Sequence, residues 1–391
     1  MRAALLLFSL IYGVALSGAA FAIDTIARSA LVIDHETGTV FLRKNADQPL
    51  PPASMSKLMT LNMVFEALEE GRLSLTDEFR VSTKAWKMGG SKMFLSEGQS
   101  VTVEELIRGV IVQSGNDACV VLAEGLAGTE GEFAHRMTVR ARELGMMNST
   151  FANATGWPHP GQRMSAEDLV LLATRLIREF PQYYPYFGEL EFEWADIVQQ
   201  NRNPLLTLDI GADGLKTGHT EEAGYGLVAS AQRDGRRVTL MVTGLNSARD
   251  RLLESEKLLN WAFREFFSQA LFEGGETVIE ADVWLGETKK VALVSEADLN
   301  VIVPYFGKDD LNVEAVYEGP LEAPITKGQA LGELVVTVPE IGETRFPLVA
   351  ATDVPRGGFV RRIEASAKVL LRKVLTLGAD PLPPASDVPT N

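Results

Sequence analysis

The sequence predicts an α/β (α+β) unit in which an antiparallel sheet is flanked by helices, followed by a small all-β domain and a C-terminal amphipathic helix. Three observations predict it. Helical apolar stretches, with Ser54–Glu70 the strongest, are interleaved with hairpin-like β runs as far as Gly244. From Glu273 to Val354 the helical pattern gives way to short β-branched runs broken by Gly, Pro and Asp, the spacing of an all-β module. Between Arg356 and Gly378 an otherwise acidic chain carries six basic residues and one acidic residue, Glu364. A chain of 391 residues is too long for one typical domain, so two or three units are expected.

Residues 1–22 read as a secretory signal: Arg2, an apolar run from Ala3 to Leu16, then Ala20-Phe21-Ala22 as a small-x-small cleavage site. The run is short for a membrane span. Export is therefore expected, with a first folded unit over residues 23–270. Ala30–Asp34 and Thr39–Arg43 form a hairpin around a turn ending at Gly38, and Asn45–Pro52 is loop. The helix from Ser54 to Glu70 has apolar residues on several sides, Leu58, Met59, Leu61, Val64, Phe65 and Leu68 among them, so it is buried. Gly71–Val81 reads as turn and strand, and Gly89-Gly90-Ser91 as a break before Met93-Phe94-Leu95. Helices over Glu104–Val112 and Ala118–Leu126 flank a turn at Ser114-Gly115-Asn116. Asp213–Thr220, Gly224–Ala231 and Val238–Gly244 read as successive strands, and Trp261–Leu271 as a helix.

Composition narrows the function classes. A net charge of −15 argues against nucleic-acid binding, which needs a basic footprint. The single cysteine, Cys119, reads as a packed residue, and His35, His135, His159 and His219 lack ligand spacing, so no metal and no cofactor are expected.

Three short patterns carry chemistry. In Pro51-Pro52-Ala53-Ser54-Met55-Ser56-Lys57, Ser54 and Lys57 stand at i and i+3, so a hydroxyl faces an amine on one side of a helix start. Serine needs a base within hydrogen-bond reach, and a lysine kept neutral by its surroundings can be that base. Ser114-Gly115-Asn116 places a second hydroxyl and a carboxamide on an inter-helix turn. Asp213-Gly214-Leu215-Lys216-Thr217-Gly218-His219-Thr220 puts a lysine and a hydroxyl on a strand, where Gly218 lets another backbone come close.

Each pattern alone is ordinary, but together they fall in the order S-x-x-K, S-x-N, K-T-G on a helix, a turn and a strand. Here the chain resembles the penicillin-binding proteins and class A β-lactamases. The wider wording, with Phe151-Ala-Asn-Ala-Thr-Gly156, Asn201-Arg202-Asn203 and Ala223-Gly224-Tyr225, looks like the low-molecular-mass D-alanyl-D-alanine carboxypeptidases of the S11 peptidase type. The resemblance covers roughly Ile23 to Phe267 closely and the remainder in general layout. It implies Ser54 as nucleophile, Lys57 as base and Ser114 as proton relay. It further implies Asn116 on the substrate amide, Lys216 as local positive charge and Thr217 on a terminal carboxylate. The N–H groups of Ser54 and His219 become the oxyanion hole, and Arg251, with Arg249 close by, falls where the family has a carboxylate-binding arginine. The implied substrate is the peptidoglycan stem pentapeptide, with β-lactams as covalent inhibitors. A D,D-endopeptidase, a β-lactamase and a catalytically weak penicillin-binding scaffold stay open as alternatives.

One departure stands out. Class A β-lactamases carry a loop glutamate that activates the deacylating water. Here Glu167, Glu189, Glu191 and Glu193 are near enough in sequence to be considered, and each reads equally well as a helix-start charge or a solvated patch. The all-β domain, residues 271–355, holds no group suited to catalysis and reads as a spacer or interaction module. In the helix expected over residues 356–378, Phe359, Ile363, Leu370, Val374 and Leu377 share one face opposite Arg361, Lys368 and Arg372. That pattern suits a helix lying on the periplasmic face of the inner membrane, and residues 379–391 are a disordered tail.

Overall fold

The computed structural model describes residues 23–306 and 310–358. The expected signal segment, most of the basic helix and the tail lie outside the described residues. The chain divides between Glu265 and Phe266 into two units.

The first unit begins with the predicted hairpin, β1 (Ser29–Asp34) and β2 (Val40–Lys44), then a 3₁₀ turn (Ala53–Ser56) leading into α1 (Lys57–Glu69). A short hairpin, β3 (Glu78–Arg80) and β4 (Ser100–Thr102), encloses α2 (Thr83–Lys87). Four helices follow: α3 (Val103–Ile111), α4 (Asn116–Ala127), α5 (Glu130–Glu143) and α6 (Ala166–Glu179). Their starts are written in the sequence. Thr102 and Glu105 form a capping box on α3, and Ser165 caps α6 by accepting from Asp168 N. After the hairpin β5 (Glu191–Trp194) and β6 (Ile197–Gln200) come β7 (Ala212–Thr220), β8 (Gly224–Arg233), β9 (Arg236–Leu245) and α7 (Ala248–Glu265).

The principal sheet has the order β2-β1-β9-β8-β7, antiparallel throughout, so β7 is an edge strand. The core cluster draws on α1, α3, α4 and α6. Leu58, Met59, Leu61, Val64 and Phe65 of α1 are all fully buried. Phe65 alone packs against the rings of Phe180, Tyr183 and Phe187, so truncating it to alanine should cost about 3–5 kcal/mol. Lys57 thus stands at the start of a firmly packed helix.

The second unit is all-β, as expected. It pairs β10 (Phe266–Phe272) with β13 (Leu299–Pro304) and builds a six-stranded sheet from β11 (Thr277–Trp284), β12 (Lys290–Val294), β14 (Asn312–Tyr317), β15 (Leu321–Glu322), β16 (Ala330–Val338) and β17 (Gly342–Ala350). The helix expected over Trp261–Leu271 is corrected here. It ends at Glu265, because Phe266 and Phe267 enter an antiparallel ladder with Pro304 and Val303. The expected helix start at Arg356 is corrected too: Arg356 bridges to Gly286, and Gly357 N donates to Leu285 O.

Candidate active site

Ser54 does not begin a regular helix. It lies in the 3₁₀ turn, preceded by Ala53 at φ +48°, a left-handed conformation that costs a non-glycine residue about 1 kcal/mol. Glycines elsewhere make room for this turn. A Cβ on Gly156 would stand 1.9 Å from Ala53 O, and one on Gly218 would stand 2.9 Å from Pro52 O. The close approach that Gly218 permits is therefore, in part, that of the protein's own turn.

Lys57 is fully buried, and its Nζ is ringed by three oxygens: Ser54 Oγ at 2.8 Å, Asn116 Oδ1 at 2.7 Å and Thr155 O at 2.6 Å. A neutral amine fits this ring, donating to Asn116 and Thr155 while its lone pair accepts the Ser54 hydroxyl proton. Burial pulls the amine down to about 8, with the Asp117 charge pulling the other way. The neutral base is thus a minority of about a tenth at pH 7 and predominates only above about pH 8.

The carbonyl of Thr155 comes from the 151–156 stretch. Asn153 Oδ1 accepts from the backbone N–H groups of Thr155, Gly156 and Trp157, while Thr60 Oγ1 donates to Ala154 O. On the other side, Asn116 Nδ2 donates to Gly89 O at 2.8 Å. Asp117 accepts from the N–H groups of Met93 and Leu95, which ties the 89–95 loop to the start of α4. Ser114 sits at φ +60°, buried, with a hydroxyl that makes no hydrogen bond among the described residues. Cys119 is inert, its thiol pushed up to about 12 by burial.

These elements enclose a cavity of about 280 Å³ lined by Ser54, Ser91, Ser114, Arg202, Thr217, Gly218, His219, Tyr225 and Arg251. It is strongly cationic. Two arginines face it, none of its lining residues is acidic, and Lys216 is buried close by with its amine held well below the usual lysine range by burial and by the charge on Lys57. Tyr225 stacks on His219 at 3.9 Å between ring centroids and lies under the Arg251 guanidinium at 5.7 Å. Such a cavity suits an anionic ligand end.

The structure brings Ser54, Ser114, Thr217, Gly218, His219 and Arg251 to one cavity, and of the two nearby arginines it places Arg251, not Arg249, on the wall. Asn116 and Lys216 stand behind that wall, and the Asn116 carboxamide is engaged by Lys57 and Gly89. None of the four glutamates considered for water activation lines the cavity. Glu167 pairs with Arg43, Glu189 with Arg108, and Glu191 accepts from Gln200. Arg202, Ser91 and Tyr225 were not singled out as site residues from the sequence. Arg202 had a signal in Asn201-Arg202-Asn203: Asn203 Nδ2 donates to Gly214 O on β7, pinning the segment to the catalytic strand.

Residues 17–247 match the family model described as D-alanyl-D-alanine carboxypeptidase. The chain belongs to the D-alanyl-D-alanine carboxypeptidase family. As a member it is a serine-type D-alanyl-D-alanine carboxypeptidase. Residues 266–356 match the model for the C-terminal domain of penicillin-binding protein 5. Among curated relatives, D-alanyl-D-alanine carboxypeptidase DacC of Escherichia coli is 38% identical over 345 residues, 86% of each chain. DacF of Bacillus subtilis is 34% identical over 85% of this chain and 87% of its own. Among solved structures, penicillin-binding protein 5 of Haemophilus influenzae is 34% identical with a TM-score of 0.79, covering 86% of this carboxypeptidase and 99% of that chain. Penicillin-binding protein D2 of Listeria monocytogenes, solved in an ampicillin-bound form, is 30% identical with a TM-score of 0.57 over 62% of this chain and 99% of its own.

Proposed function

We propose that the enzyme removes the terminal D-alanine from peptidoglycan stem pentapeptides through an acyl-enzyme on Ser54, and that β-lactams acylate the same hydroxyl. The observation that carries this reading is Lys57 Nζ at 2.8 Å from Ser54 Oγ, beside a cationic cavity lined by Thr217, His219 and Arg251. Lys57 takes the Ser54 proton as Oγ attacks the carbonyl between the two D-alanines. The oxyanion is held by the backbone N–H groups of Ser54 and His219, and the terminal carboxylate by Thr217 and Arg251. Ser114 relays a proton to the departing amine, D-alanine leaves, and water then hydrolyses the ester on Ser54. Asn116 orients Lys57 in this scheme, its carboxamide oxygen accepting from Nζ. Lys216 supplies a local positive field when charged.

The test is direct. Purified enzyme mixed with diacetyl-Lys-D-Ala-D-Ala should release free D-alanine, whereas a penicillin-binding scaffold would be acylated by penicillin and release none.

Placement follows from the sequence alone. We place the enzyme on the periplasmic face of the inner membrane, held by the basic amphipathic segment after residue 358, with each flanking Lys or Arg adding about 1 kcal/mol near an anionic surface. The full chain should pellet with anionic liposomes, less so as salt rises, and a chain ending at Gly358, which keeps the Arg356 and Gly357 pairing, should stay in solution with its peptide activity intact. Equal partitioning of the two chains would remove the anchor and leave a periplasmic enzyme.

A further inference from the structure

The Thr155 oxygen that meets Lys57 Nζ is a backbone group, so its place depends on how the 151–156 stretch is held. Ala154, the residue before it, is gripped at both of its backbone polar groups. Its carbonyl accepts from Thr60 Oγ1 at 2.7 Å, and its N–H donates to Glu130 Oε1 at 3.1 Å. The first grip comes from α1, the helix that Lys57 begins. The second comes from α5, by a carboxylate with no part in the chemistry described above.

Glu130 opens α5, where the helix dipole favours an acidic residue. That ordinary role does not account for its surroundings. Thr129 already caps the helix by accepting from Glu132 N, and a carboxylate that served only the dipole would stay in water. The Glu130 side chain is instead 10% exposed, with Oε2 at 2.7 Å from Lys84 Nζ. A carboxylate withdrawn from water is costly unless it is paired and hydrogen-bonded, and here each oxygen has its own partner. Lys84 extends the connection. It lies on α2, which leads into Gly89, and Gly89 O accepts from Asn116 Nδ2 at 2.8 Å. Asn116 in turn holds Lys57 through Oδ1. Through its two oxygens Glu130 therefore joins both segments that lend a backbone carbonyl to the Lys57 and Asn116 pair.

We propose, resting on the reading of Lys57 as base given above, that Glu130 is a positioning residue: its carboxylate fixes the 151–156 stretch and so the Thr155 carbonyl that aims Lys57 Nζ at Ser54. Glu130 touches neither the substrate nor Ser54 and acts by reach more than by charge. Reach and charge can be separated. Glu130→Gln keeps the length and an oxygen for Ala154 N but loses the charge, whereas Glu130→Asp keeps the charge and falls one methylene short. The test measures kcat and KM of the full chain for D-alanine release from diacetyl-Lys-D-Ala-D-Ala, with the thermal transition of each variant recorded alongside. Glu130→Asp and Glu130→Ala should lower kcat by on the order of tenfold or more with KM within about twofold, while Glu130→Gln should stay within about threefold of wild type in kcat. Labelling by a tagged penicillin should follow the same order, because that reaction also needs Lys57 aimed at Ser54. Should Glu130→Ala fail to fold, the Asp and Gln variants decide alone. A wild-type kcat in Glu130→Asp, or a Gln variant impaired as far as the Asp variant, would overturn the positioning role and leave the carboxypeptidase reading standing. So would losses of kcat no larger than the unfolded fraction at the assay temperature. No release of D-alanine by the wild type would overturn both.

Discussion

The two units treat buried polarity in opposite ways. In the first, Lys57, Lys216, Asp117, Asn116 and Ser114 are buried together, and a buried charge costs several kcal/mol unless it is paired or neutralised. In the second, Ser295 is the one buried polar residue among the described residues, and the interior is otherwise Ala281, Leu293, Val336, Leu348 and similar side chains. The unit that works chemically is the one that holds amines out of water, where their protonation becomes adjustable. The other unit keeps an almost wholly apolar interior.

The strongest test of that contrast removes the nucleophile. Ser54→Ala should abolish covalent labelling by a tagged penicillin, and persistent labelling would move the acyl site elsewhere. Lys57→Arg comes next. It keeps the charge but cannot yield a neutral base, so acylation should fall at least a hundredfold, the range for a lost general base. In the wild type the neutral amine is the working form. Acylation should therefore climb about tenfold per pH unit below about 8 and level off above it, read as labelling rate against pH. A flat profile between pH 6 and 9 would name another base.

Amidating the terminal D-alanine should matter less, because it deletes binding rather than chemistry. Losing one charge-assisted hydrogen bond to Thr217 or Arg251, about 1.5–3 kcal/mol, predicts a tenfold or larger drop in kcat/KM. Equal cleavage of acid and amide would favour an endopeptidase. The smallest effect on activity belongs to the second unit. Leu348→Ala should lower that unit's stability by about 2–5 kcal/mol, seen as an earlier thermal transition, while small-peptide turnover stays within about twofold of wild type. A matching loss of turnover would show that the two units are coupled.

Much of the site was legible because side-chain chemistry leaves letters in the sequence. Ser54 and Lys57 stand at a spacing that already implies they face each other, and Ser114, Lys216 and Thr217 stand in patterns that the family resemblance ties to that pair. The third oxygen around Lys57 left no such letter, since Thr155 contributes a backbone carbonyl that any residue carries. Arg202 and Tyr225 fall within stretches that carry the resemblance, yet their place at the cavity was not legible: the pairing of β7 with β8 and the anchoring of Asn203 bring them there. The end of α7 was misread because Phe266 and Phe267 extend an apolar pattern that fits a helix equally well. A ladder to residues almost forty positions away decides their conformation.

The ring of oxygens around Lys57 has one more consequence. A tetrahedral nitrogen bonded to its own carbon and facing three oxygens at 2.6–2.8 Å has every direction filled, whether it carries two hydrogens or three. Gaining a proton reverses the polarity of a single contact, the one to Ser54, and displaces no atom. Coordinates of the resting enzyme taken at pH 6 and at pH 10 should superimpose here, so the switch between an idle and a working enzyme is silent to diffraction and audible only to a clock.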